Sequence, residues 1–123
     1  MDTYMLIVIF HVFFIVPLLL WVGFSRAATP DWAYKVLFGL GLLLVGYHGY
    51  KAVVRLFVTS PALWVNLIHV FIVAPLLLWI GYHEKKTERA AYDMLLMLAF
   101  GAFGFHLYKL IVISQTFVKS PDV

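Results

Sequence analysis

The sequence predicts an all-α integral membrane protein: four transmembrane helices in an up-down-up-down bundle, built by tandem duplication of a two-helix hairpin. Composition is the first reason. The 123 residues are 64% hydrophobic and 12% charged, with a mean hydropathy of +0.97, whereas a soluble domain is about 45–50% apolar and about 25% charged. Arrangement is the second reason. The apolar residues fall in four blocks, each long enough for the roughly 20 helical residues that cross a hydrocarbon core. The third reason is internal. Residues 11–55 lie over residues 69–113 at a constant offset of 58 without a gap, and 19 of the 45 pairs are identical. HVFFIVPLLLWVG (11–23) matches HVFIVAPLLLWIG (69–81), and GYHGYK (46–51) matches GFHLYK (104–109).

The first helix is expected over 4–24. It could pass for a signal peptide, but it lacks a basic leading region and is longer than the usual apolar stretch of about 7–15 residues. Its copy at 63–82 lies in mid-chain, so it is retained as a mature helix. The connection SRAATPD (25–31) leads to a second helix over 32–57, and VTSP (58–61) leads to a third over 63–82. Pro61 suits a first helical turn and disfavours helix at Ser60. HEKKTER (83–89) then leads to a fourth helix over 90–117, which Thr87 can cap. Phe-Val-x-Ser-Pro at 57–61 recurs at 117–121, two residues beyond the offset, which makes the fourth helix half a turn longer than the second. The chain is thus a single membrane domain over 1–123, with repeats at about 4–60 and 62–120. Pro17 and Pro75 stand mid-helix at equivalent positions and predict bends. Trp21 and Trp79 suit an interfacial aromatic belt.

Two crossings per repeat insert both copies in one direction, the parallel-repeat case. The basic residues divide four (Lys51, Arg55, Lys109, Lys119) against five (Arg26, Lys35, Lys85, Lys86, Arg89), which sets no orientation by the positive-inside rule. A net charge of +3 comes from few residues outside the apolar centres, so nucleic acid is not an expected partner. With no cysteine, thiolate metal sites and iron–sulfur clusters are excluded. No phosphate loop, activated nucleophile or internal carboxylate pair is present, which disfavours a hydrolase or transferase. The expected surroundings are the lipid bilayer, with association as a homo-oligomer or as a subunit of a larger membrane complex. Gly39, Gly41, Gly46 and Gly49, with Ala99, Gly101, Ala102 and Gly104, are expected to let helices approach closely.

The candidate functional residues are His11, His48, His69 and His106, since ionisable groups within membrane helices are costly and mark function by default. His11 is equivalent to His69 and His48 to His106. Counted from the end of the chain that holds both termini, all four lie at depths of roughly 9–16 Å at 1.5 Å per residue. They are therefore expected to point inward as one layer. Lys51 and Arg55 follow His48 on one helical face, and Lys109 follows His106. Asn66 lies one turn from His69. Gly41 and Ala99, seven residues before His48 and His106, can leave room for a planar ligand.

Histidine is a standard haem ligand and the commonest metal ligand. The favoured reading is a haem-type cofactor for electron transfer, with axial ligands from two histidines on facing helices and propionates toward Lys51, Arg55 and Lys109. Two porphyrins at one level would clash in a single bundle, so the reading requires one haem with two spare histidines, or haems held at a subunit boundary. In outline this is similar to di-haem membrane cytochromes, which also place histidines in four-helix bundles. Those proteins put two histidines near each membrane face, whereas all four lie near one face here. A compact four-imidazole site for Cu or Zn is the second possibility. The third is a histidine-gated proton or ion channel. It resembles small viral proton channels only in concept, because their His-x-x-x-Trp spacing is absent. A structural subunit of a larger complex is the remaining alternative.

Overall fold

The computed structural model describes residues 2–119, which are helical throughout their length apart from short turns, with no strand among them. The α-helices are α1 (Thr3–Phe10), α2 (Val16–Ser25), α3 (Asp31–Phe57), α4 (Leu63–Ile68), α5 (Ala74–His83) and α6 (Arg89–Lys119). A π-helical turn at His11–Ile15 joins α1 to α2, and another at His69–Val73 joins α4 to α5. Short 3-10 turns at Arg26–Ala28 and Glu84–Lys86 extend α2 and α5. The result is four helices long and apolar enough to cross a membrane: Thr3–Ala28, Asp31–Phe57, Leu63–Lys86 and Arg89–Thr116.

Asp2 caps α1 through Tyr4 N–H at 3.4 Å. Pro30 precedes α3 in an extended conformation, and Asp31 places an acid in the first turn, where the helix dipole favours it. The 58–61 turn ends α3 as expected. There Thr59 adopts φ 50, Ser60 N–H reaches Arg55 O at 2.9 Å, and the Arg55 guanidinium donates to Ala62 O at 3.2 Å. Helix α6 is longer than α3, 31 residues against 27. The expected stop at Ser120-Pro121 lies outside the described residues.

The prolines act differently from simple bends. In each π turn the carbonyl of the histidine accepts from the residue five positions on, Val16 N–H to His11 O and Ala74 N–H to His69 O. Pro17 and Pro75 follow those donors directly. A proline ring clashes with the carbonyl four residues back and supplies no N–H. The wider turn gives that ring room and passes over the missing donor.

The chain divides into two compact units, one combining the residues up to Phe24 with those from Met94 onward, the other running Ser25–Asp93. Buried residues of the first include Val8, Val12, Val16, Leu19, Leu95 and Ala99. In the second, α3 and α5 meet closely. A Cβ on Gly81 would lie 2.7 Å from Phe38 N and 2.8 Å from Tyr34 O. On Gly41 it would lie 2.7 Å from Leu78 Cγ. Gly39, Gly46, Gly49, Gly101 and Gly104 correct the expectation of close helix approach, because a Cβ on any of them meets nothing within 4 Å. The outer surfaces are apolar as well: Phe13, Phe14, Phe71 and Met97 are each more than 60% exposed.

Candidate functional site: two histidine pairs

Each unit brings two histidines together. In the first, the rings of His11 and His106 stack with centroids 4.4 Å apart and planes 25° apart. In the second, His48 and His69 stack at 4.1 Å and 10°. The two pairs are equivalent under the duplication, since each joins one histidine opening a π turn to one from the middle of a long helix. His106 is buried and the other three are half-buried.

Local structure fixes the rings. His11 Nδ1–H donates to Ile7 O at 2.7 Å, and His69 Nδ1–H donates to Val65 O at 2.6 Å. A carbonyl only accepts, so the proton sits on Nδ1, and in the neutral ring Nε2 carries the lone pair. His48 Nδ1 bonds instead to a side chain, Asn66 Oδ1, at 3.0 Å. A ligating histidine usually ties back its second nitrogen in this way. Because a π turn holds an extra residue, side chains on its two sides are turned by about 100° relative to an unbroken α-helix.

The arrangement is one of pairs. Among the described residues no group of three or more histidine, aspartate or glutamate side chains comes close enough to hold a metal ion. The four-imidazole Cu or Zn centre expected from sequence as an alternative therefore has no counterpart among them.

The other sequence candidates are distributed as follows. Lys51 and Lys109 are half-buried, and Lys109 Nζ lies 5.6 Å from the centroid of the Phe105 ring. Arg55 is engaged in the turn through Ala62 O. Gly41 opens no space for a planar ligand, because the Leu78 side chain occupies the position beside it. Ala99 is fully buried.

A polar cluster at the other end of α3 and α5 went unread in the sequence. The hydroxyls of Tyr34 and Tyr92, equivalent residues, lie 2.7 Å apart. Tyr34 donates to Arg26 O at 2.9 Å, and Tyr92 lies 3.2 Å from Glu84 O. Arg26 and Glu84 are themselves equivalent and share φ 51. Lys85 Nζ reaches Thr29 O at 2.9 Å and Ala27 O at 3.2 Å. Thr87 turns its hydroxyl back to Glu84 O at 2.6 Å, tying the end of α5. Trp79 Nε1–H donates to Glu88 Oε1 at 2.9 Å. The identity of Tyr34 and Tyr92 across the repeat was the available signal. These groups join loops to helices and offer no open donor set.

Compared with known protein families, curated proteins and solved structures, the chain matches none.

Proposed function

We propose that this is a multi-pass membrane protein whose two histidine pairs each ligate a haem-type centre for electron transfer. The four long apolar helices with apolar outer faces support insertion in a bilayer as an up-down-up-down bundle. The observation that carries the cofactor reading is the grouping of imidazoles in twos. Two protein ligands are too few for a structural Zn site, which takes four. They are the number that an iron needs when a macrocycle supplies the other ligands, as in bis-histidine haem proteins. The tied-back Nδ1–H of His11, His48 and His69 leaves Nε2 as the donor atom of each. The rings stack face to face at 4.4 Å and 4.1 Å, so each pair would have to swing apart to hold such a group, which when bound would supply one-electron chemistry. Since Leu78 fills the room beside Gly41, the proposal rests on the donor set.

Purified protein titrated with haemin is expected to take up two equivalents with the low-spin spectrum of bis-imidazole iron. His48→Ala or His69→Ala removes one equivalent, and His11→Ala or His106→Ala removes the other. A wild-type protein that is colourless and binds no haemin defeats the proposal.

One observation favours a second reading, a histidine-gated proton or ion channel. Rings 4.1 Å apart cannot both carry a proton without repulsion of about 4 kcal/mol at an effective dielectric constant near 20. Protonation would then drive a pair apart. Metal-free protein that collapses a pH gradient in liposomes supports this reading, and loss of that leak in His48→Ala ties it to the pair. Association with itself or within a larger membrane complex accords with the open glycine positions of α3 and α6.

A further inference from the structure

The loop end of α3 and α5 carries a groove that neither the histidine pairs nor the tyrosine cluster uses. Gly81 has no side chain, so α5 comes close against Phe38 of α3 there. Beside that contact lies an open recess of about 490 Å³, lined by Phe38, Pro75, Leu78, Trp79, Tyr82 and His83. A second recess of about 260 Å³ adjoins it, sharing Phe38 and Tyr82 and adding Lys35 and Glu84. The groove therefore passes from charge to apolar wall. Pro75 stands nine residues before Glu84 (84 − 75 = 9), roughly 13 Å deeper at 1.5 Å per residue. Trp79 is fixed in the wall by its bond to Glu88 and by the ring of His83.

Charge at the mouth identifies the occupant. Under the duplication Lys35 corresponds to Asp93 (35 + 58 = 93) and Glu84 to Arg26 (84 − 58 = 26), the same two signs exchanged. Those counterparts close on each other, with Arg26 Nη2 3.3 Å from Asp93 Oδ1. Lys35 and Glu84 line one recess, yet neither makes an ion pair among the described residues. Asp31, one turn before Lys35, is turned to Lys85 instead. A cation and an anion thus stand open at the head of an apolar groove. An anionic amphiphile would be repelled by Glu84 and a cationic one by Lys35, whereas a zwitterion matches both. Lysine suits a phosphate as a point charge. A primary ammonium can donate to the Glu84 carboxylate, and a choline group has no N–H to do so.

We propose that this groove binds one zwitterionic phosphoethanolamine lipid, with its phosphate at Lys35, its ammonium at Glu84 and an acyl chain toward Pro75. This rests on the membrane-spanning part of the reading above and is independent of the cofactor. The full chain is reconstituted in vesicles of equal parts phosphatidylethanolamine, phosphatidylcholine and phosphatidylglycerol and checked by flotation. It is then released in mild detergent, and the retained lipid is identified by native mass spectrometry. Wild type should keep phosphatidylethanolamine about tenfold over phosphatidylcholine, the ratio that one charge-assisted hydrogen bond supports. Glu84→Gln should abolish that preference, and Lys35→Gln should lower retention of both lipids. Asp93→Asn, which opens the counterpart bridge, should change neither. Far-UV circular dichroism confirms that each variant is folded. A wild type that does not favour the ethanolamine headgroup, an unchanged preference in Glu84→Gln, or a lipid-free dimer overturns the proposal. Protein that fails to float with the vesicles overturns the membrane reading itself, and this site with it.

Discussion

Replacing Gly81 with alanine tests how tightly α3 and α5 are joined. The new Cβ would sit 2.7 Å from Phe38 N, 2.8 Å from Phe38 Cβ and 2.8 Å from Tyr34 O, whereas ordinary contact begins at 3.4 Å. Two of these three atoms belong to the backbone and the third is fixed by it. No rotamer change relieves the overlap, so the helices must part by 3.4 − 2.7 = 0.7 Å. A gap of that size forfeits about a quarter to a half of each dispersion contact across it. Leu37, Leu77 and Ile80, all at most 2% exposed, are buried in this unit and share that loss. Overpacking costs about 1–3 kcal/mol, offset by about 1 kcal/mol for exchanging glycine for alanine in a helix. The net expectation is a loss of about 1 kcal/mol, the middle of a span of about 0–2 kcal/mol. Gly41→Ala should cost less, because its two nearest neighbours are Leu78 Cγ and Cδ2, side-chain atoms that can move. Gly39→Ala meets nothing within 4 Å and should be neutral or stabilising. Reversible denaturation in mixed micelles, followed by far-UV circular dichroism, measures the order. The reasoning is refuted if Gly81→Ala proves as stable as Gly39→Ala.

Tyr34→Phe and Tyr92→Phe should each cost about 1 kcal/mol, and the double variant less than the sum, because the hydroxyls bond each other; additive losses in a double-mutant cycle would remove that coupling. Thr59→Asn should raise stability by up to about 1 kcal/mol, since a β-branched residue is poorly suited to φ 50 and asparagine tolerates it; an unfolding midpoint below wild type would contradict this. Pro17→Ala restores an N–H and removes the ring that the π turn accommodates, so the turn should close toward α-helix and swing His11 from His106. Loss of the His11–His106 ring proximity in solid-state NMR checks it, and an unchanged contact would show that packing, not proline, sets the wide turn.

Much of the helical organisation was legible because membrane-length apolar blocks and Pro-bearing turns are written directly in composition. Facing was far less so. In a helix apolar on every side, periodicity no longer distinguishes core from exterior. Gly39, Gly46 and Gly49 therefore looked the same as Gly41, although only Gly41 touches a neighbouring helix. Gly81 read as the end of a duplicated string, and it is the glycine whose Cβ position comes closest to another helix's backbone. The histidines stood out through their cost in an apolar helix, but depth along a helix does not encode a partner. His48 pairs with His69 and His11 with His106, a choice made by the rotation of each helix and by the π turns. A proline signals a disturbed turn without saying whether it bends or widens. Asn66 was visible as one turn from His69, yet its bond goes to His48 on another helix.

His83 supplies an internal control for the site. Its Nδ1–H donates to Trp79 O at 2.8 Å, four residues back, as His11 and His69 donate to Ile7 and Val65. Its ring also lies against an aromatic neighbour, with centroids 4.1 Å from Trp79. Tying back Nδ1 is therefore a local habit of histidine on these helices and is not diagnostic by itself. His83 has Ser25 at its equivalent position (83 − 58 = 25), and its ring partner is an indole from its own helix. The other four are each opposed by a second imidazole from a different helix, and that opposition recurs in both units, each pair joining one histidine from each repeat. If a shared ligand selects the pairs, His83→Ala should leave haemin uptake at two equivalents, while His69→Ala should lower it to one. Equal losses from both substitutions would mean that haemin responds to any exposed imidazole nitrogen, and the pairing of rings would then carry no functional information.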